Sequence, residues 1–229
     1  MENADSPAAK LNLSFLFGWV LANLVGLPAL SLPFNIGYYL LGSLYITGDG
    51  MPIGLTGHAF ILIILALSGA LLGVWLGVMQ WLPLKARMVQ SRKWIGASSL
   101  GVAIGAPISW LVYLWFLDGP IVDRAGSIYD QYFSFGYAHL IFGVLLGLTI
   151  GVAQWSVLRQ QVHGAGWWMI VLPVCFTLDV LFTKFYLSNT QVLRFMAMFG
   201  PLTALVGVGC ITGILLRWLF QFPKTQTAA

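Results

Sequence analysis

The stretch Gly69-Ala-Leu-Leu-Gly73-Val-Trp-Leu-Gly77-Val-Met-Gln80-Trp81-Leu-Pro-Leu84-Lys85 decides how this chain is read. It returns 74 residues later as Gly143-Val-Leu-Leu-Gly147-Leu-Thr-Ile-Gly151-Val-Ala-Gln154-Trp155-Ser-Val-Leu158-Arg159, and at the same offset Trp94 falls opposite Trp168. Three glycines at four-residue intervals, then Gln-Trp, then a leucine and a basic residue, form too specific a pattern to recur at one offset by chance, so the sequence predicts an internal duplication. Spaced every four residues on a helix, Gly69, Gly73 and Gly77, and likewise Gly143, Gly147 and Gly151, leave one smooth face. Against that face a second helix can approach closely and gain dispersion contacts. Gly101 and Gly105 do the same one segment later. The expected use is packing within the chain; the alternative is a surface for another protein's transmembrane helix.

Working outward from the repeat, the whole chain is apolar. Of 229 residues 59% are hydrophobic and 8% charged, where a soluble domain carries roughly a quarter charged residues. Apolar runs of the ~20 residues needed to cross a hydrocarbon core recur along it. The reading is an all-α, polytopic transmembrane bundle of about six helices. Its spans are expected near residues 13–46, 55–84, 94–117, 133–158, 167–187 and 196–220, the first kinked at Pro28 and Pro33. The bundle then occupies residues 13–220 between short tails, 1–12 and 221–229, with repeat hairpins at about 55–117 and 133–187. Both hairpins run in the same sense, unlike the inverted repeats of many transporters. Gly209, Gly213, Leu216 and Arg217 read as a degraded third copy, with the first span as its counterpart.

The few charges orient the bundle. Lys10, Lys85, Arg87, Arg92, Lys93, Arg159, Arg217 and Lys224 fall on one side and Arg124, Lys184 and Arg194 on the other. Because cytoplasmic loops retain positive charge, both termini and the 85–93 loop are expected in the cytoplasm, in the plasma membrane or an internal bacterial membrane. Asp49, Asp118, Asp123 and Asp130 make the opposite side acidic. The net charge of +4 is accounted for by this bias, and no basic run long enough for a nucleic-acid tract exists. The first ten residues lack the positive start of a cleaved signal peptide, so the first span is expected to be retained. Trp81, Trp94, Trp155, Trp167, Trp168 and Trp218 gather near the cytoplasmic ends, where an interfacial aromatic belt is expected.

Chemistry-bearing residues are sparse. Asp179 lies about 18 Å along a span beginning at Trp167 and is the foremost candidate, since an ionisable group at depth costs a few kcal/mol on insertion scales. Lys184 stands five positions on, about 140° around the helix, so an ion pair between the two is strained. His139 and His58, near the outer ends of their spans, are alternative partners for a proton or cation site. Gln80 and Gln154 form a candidate polar pair on the cytoplasmic side, lining a vestibule or bonding across helices. Cys175 and Cys210 lack a CxxC partner or a histidine cluster, so no metal and no disulfide framework is indicated. The loop from Asp118 to Asp130 does not match the Asp-x-x-Asp-Gly-x-x-Ala-Arg pattern of lipid phosphotransferases. HExxH, GxSxG and Walker motifs are missing, which leaves no catalytic residue and no cofactor to name.

The segments Gln80-Trp81-Leu-Pro-Leu84-Lys85 and Gln154-Trp155-Ser-Val-Leu158-Arg159, followed by Trp167-Trp168, resemble a loose group of uncharacterised bacterial multi-pass membrane proteins. These carry Gln-Trp-x-x-Leu-Arg at one helix end and a tryptophan pair at the start of the next. The first copy departs from that pattern in Lys85 and in a single Trp94. The resemblance implies a membrane fold and no activity. The expected function is therefore a non-catalytic component of a membrane complex, a subunit, assembly factor or structural partner. Its partners are the lipid bilayer and other membrane proteins or a second copy. The alternative is a small ion- or proton-coupled solute transporter or channel.

Overall fold

A computed structural model describes residues 13–27, 55–118, 128–188 and 194–223; side chains at 55–57, 113–118, 128–139, 179–180, 182–188 and 194–204 lie outside that description. Apolar runs of this length leave the backbone few polar side chains to bond, so its N–H and C=O groups are satisfied within each segment, as helix. Among the described residues there are six helices: α1 (Leu13–Gly26), α2 (Leu55–Leu84), α3 (Lys93–Asp118), α4 (Ile128–Leu158), α5 (Trp167–Ser188) and α6 (Arg194–Leu219). Among the described residues three segments are long and apolar enough to cross a membrane, His58–Leu84, Lys93–Val112 and Leu140–Leu158. Helix α4 starts at Ile128 and α6 at Arg194, both ahead of the apolar runs expected from Phe133 and Met196. A helix's hydrogen-bond ladder runs on through Asp130 and Gln131, where hydrophobicity already fades.

The helices close into a ring. Each packs on its neighbours in chain order, and α6 returns to α1, so that α1 lies between α2 and α6. Phe15, near the start of α1, meets Phe220 edge-on at 6.4 Å and lies under the Arg87 guanidinium at 4.7 Å. The start of α1, the end of α6 and the α2–α3 turn therefore share one end of the ring, called here the basic end. Leu84, Leu158 and Leu216, from the last turns of α2, α4 and α6, are all fully buried there. The α2–α3 and α4–α5 turns are built alike, with Lys85 N–H donating to Trp81 O and Met88 N–H to Leu84 O in one. In the other, Arg159 N–H donates to Trp155 O and Val162 N–H to Leu158 O. Phe222, just beyond α6, fastens to the second turn by accepting from His163 N–H at 2.9 Å. Next to it Gly164 takes a φ of 73° under the Trp218 ring, a left-handed conformation that favours glycine.

The outward faces are apolar. Phe17 and Leu21 on α1, Ile63, Leu67 and Leu71 on α2, and Leu100, Ile104 and Ile108 on α3 are all exposed at helical spacing. The pattern continues with Val144, Leu148 and Val152 on α4, Ile170, Val174 and Leu178 on α5, and Ile211 and Ile214 on α6. Several hydroxyls within helices bond to their own backbone, Thr149 to Leu145 O, Thr177 to Pro173 O and Ser68 to Leu65 O, while Ser99 Oγ of α3 donates across to Ala70 O of α2 at 3.0 Å.

The glycines face neighbouring helices of the same chain. A Cβ at Gly73 would stand 2.6 Å from both Ser98 O and Ser99 Cα, at Gly77 2.7 Å from Ile95 Cα, and at Gly69 2.9 Å from Val102 O. The α4–α5 seam is tight at Gly147, 2.7 Å from Pro173 Cα, and ordinary at Gly151, 3.4 Å from Met169 Cα; Gly143 is buried. Gly101 closes on Ile150 at 2.7 Å, and Gly213 on Leu16 and Trp19 at 2.6 and 2.9 Å. Since the obstacle at Gly73 is backbone, Gly73→Ala should cost about 1–3 kcal/mol, the range for overpacking a filled seam. Gly96→Ala, with nothing within 4 Å of its Cβ, should leave stability unchanged. Thermal unfolding of the purified protein in detergent checks the pair; equal stability of the two variants would contradict the close α2–α3 approach.

Candidate functional site

The interior of the basic end is assembled from three tryptophans and a string of amides. Trp19 comes from α1, Trp94 from the first turn of α3 and Trp168 from the first turn of α5, and none has exposed surface. Their rings meet pairwise edge-to-face, at 6.3 Å and 72° for Trp19–Trp94, 6.2 Å and 68° for Trp19–Trp168, and 5.7 Å and 62° for Trp94–Trp168. The positive edge of one indole thus lies toward the negative face of the next, worth about 0.5–1.5 kcal/mol per pair beyond the area buried.

An indole N–H can only donate, and that requirement orients everything around it. Trp94 Nε1 donates to Gln80 Oε1 at 3.0 Å, and Trp168 Nε1 to Gln154 Oε1 at 2.9 Å, both across 14 residues of sequence. With its oxygen turned to the tryptophan, each glutamine presents its amide nitrogen to a preceding helix. Gln80 Nε2 donates to Asn23 Oδ1 at 2.9 Å, and Gln154 Nε2 to Ser98 Oγ at 2.8 Å. Asn23, turned by that acceptor role, donates from Nδ2 to Trp19 O at 2.8 Å. Gln154 Nε2 also donates to Gln80 Oε1 at 3.0 Å, joining the two halves. The third indole, Trp19, donates to Thr212 Oγ1 at 2.9 Å, and Thr212 passes its own proton to Val208 O at 2.7 Å. One network thereby ties α1, α2, α3, α4 and α5, and Trp19 carries it on to α6.

One expectation changes here. Trp94 and Trp168 are not belt residues: their rings fill the centre of the ring of helices, where the three indoles share edges and reach the acceptors Gln80, Gln154 and Thr212. Trp167 and Trp218 are the exposed ones, with Trp81 and Trp155 between. Of the two uses expected of Gln80 and Gln154, the structure has them bonding across helices. They are 3% and 0% exposed, bonded to each other and to four further side chains. Of the depth-charge candidates, the side chains of His139, Asp179 and Lys184 lie outside the described residues. His58 is half-buried, its Nδ1 without a hydrogen-bond partner. No group of three or more metal-binding side chains occurs among the described residues, and Cys175 is buried and Cys210 half-buried, both as free thiols.

Asn23, Ser98, Thr212 and Trp19 were absent from the sequence expectations. An asparagine within the apolar run Leu13–Gly26 and a tryptophan four residues before it were visible signals. Their partners lie far away, 57 residues for Asn23 and 193 for Trp19, beyond any local pattern. Comparison with known proteins finds no match: no family model, no curated protein and no solved structure matches this chain.

Gln154→Leu removes the acceptor of a buried indole and the donor to Ser98. It should cost about 1–3 kcal/mol for each group left unsatisfied, read as a lower unfolding temperature. Trp168→Phe, which keeps most of the ring and deletes the donor, should cost less than Trp168→Ala. In a double-mutant cycle Gln80→Leu and Gln154→Leu should couple by about 0.5–3 kcal/mol as members of one network; additivity would deny the direct Gln80–Gln154 bond.

Proposed function

We propose that this chain is a membrane-spanning six-helix bundle serving as a non-catalytic component of a membrane complex. The observation that carries the reading is the filled interior of the basic end. Three fully buried indoles occupy it, and each of their N–H groups is bonded to Gln80, Gln154 or Thr212. A transporter or channel needs polar groups turned toward a path, whereas these are consumed in holding helices together. The apolar outward face of every helix supports lipid on all sides.

The same geometry supports an architecture of three related hairpins. Gln80–Trp94 and Gln154–Trp168 are equivalent pairs, and Thr212–Trp19 takes the third place, with the helix order reversed in sequence. Leu84, Leu158 and Leu216 follow the three acceptors at one spacing, and Asn23 and Ser98 each stand four residues after an indole. In this reading α6 and α1 form a hairpin divided between the two ends of the chain, and the glycine seams are its shared packing device.

Mild solubilisation of the native membrane followed by identification of co-migrating proteins tests the function. A stable set of companions is expected, and a chain that always runs alone would count against it. Reconstituted vesicles test the transport alternative: Asp179→Asn should leave proton and cation flux unchanged, and a loss of flux would restore Asp179 to a transport path. In a background lacking Cys175 and Cys210, Gln90→Cys and Gln160→Cys, both exposed in the turns of the basic end, should be labelled from the cytoplasmic side. Labelling from the outer side would reverse the orientation.

A further inference from the structure

The basic end carries an organised positive surface. Lys85, Arg87, Arg92 and Lys93 from the α2–α3 turn, Arg159 from the α4–α5 turn and Arg217 from α6 are all exposed. The larger cluster sits on a turn held in place from beneath. Met88 and Ser91 are buried, Trp81 Nε1 donates to Ser91 Oγ at 3.0 Å, and Arg87 is stacked on Phe15. Two of the cations rest on indoles one helical turn earlier: Lys85 Nζ lies 5.7 Å from the Trp81 ring and the Arg159 guanidinium 4.7 Å from the Trp155 ring.

Neither turn contains an acidic residue, and Asp118 and Asp130 belong to the opposite ends of α3 and α4. Half-buried indoles at a helix end favour headgroup depth in a bilayer. Cations held there meet phosphate oxygens, to which Lys and Arg make charge-assisted hydrogen bonds.

Resting on the membrane-spanning reading, we propose that the basic end is a binding surface for anionic phospholipid headgroups, organised by Lys85, Arg92 and Lys93, with Arg217 extending it. The occupant is a lipid because the cations surround the rim of an apolar-faced bundle, where acyl chains and phosphates arrive together. Arg87 is excluded from the test because its stacking on Phe15 is structural.

The full chain is reconstituted into nanodiscs of phosphatidylcholine alone or mixed with phosphatidylglycerol, and lipids retained on extraction are counted by native mass spectrometry. Phosphatidylglycerol should be enriched over phosphatidylcholine. Neutralisation should lower that enrichment about fivefold per charge, the effect of one basic residue near an anionic surface, so Lys85→Gln, Arg92→Gln and Lys93→Gln together should abolish it. Arg92→Lys, which keeps charge and fold, should retain it, and unfolding temperature in phosphatidylcholine alone verifies that the triple variant is folded. Equal retention of both lipids, undiminished enrichment in the folded triple variant, or displacement of the lipid by soluble glycerol phosphate would each overturn the proposal. A chain that fails to enter nanodiscs overturns the membrane reading and this proposal with it; one that enters without preference overturns this proposal alone.

Discussion

At the basic end three buried indole N–H groups converge on one axis of packing, and each is given an acceptor. Trp19, Trp94 and Trp168 bring large apolar rings to the centre, which helices lined by glycine and alanine would otherwise leave underfilled. Each also brings one donor that water cannot reach. Leaving it unbonded would cost about 1–3 kcal/mol. Gln80, Gln154 and Thr212 supply the acceptors, and the glutamines, having a second polar atom, pass the problem on to Asn23 and Ser98. Burial of the rings and closure of the network are thus one event.

Close helix approach makes this possible. The amides span from one helix to the next only because Gly73, Gly77, Gly101 and Gly147 let backbones touch. On the proposed membrane-spanning reading, helices gain little from hydrophobic burial, and contact area and hydrogen bonds carry association instead. The seams provide the first and the centre provides the second. Where the second hairpin loosens, at Gly151, the Gln154–Trp168 bond still holds one turn further along, so the two devices share the load unequally in the two hairpins.

The network also separates the two ends of the bundle chemically. Polar side chains at the basic end are spent inward on structure, while Lys85, Arg92, Lys93 and Arg217 around it are exposed.

Much of this was legible in the residues. Apolar runs announce helices because a chain so poor in polar side chains satisfies its backbone locally, and the described helices follow those runs, lengthened where α4 and α6 begin among polar residues; residues 28–46 of the first run, with the kink expected at Pro28 and Pro33, lie outside the described residues. The offset between Gln80-Trp81 and Gln154-Trp155 marked both glutamines, and the opposition of Trp94 and Trp168 marked two of the rings. What those marks meant was not legible. A tryptophan at a helix end is as consistent with a lipid headgroup as with a core, and hydropathy is the same for either. Only the ring closure of α6 onto α1 places Trp19 beside Trp94 and Trp168, across separations that no local pattern spans. The sequence by itself determined the helices, their glycine faces and the asymmetry of charge, since each depends on composition within a few turns. The tertiary structure decided that the tryptophans and glutamines turn inward, because an acceptor for a buried donor is a property of which helices become neighbours.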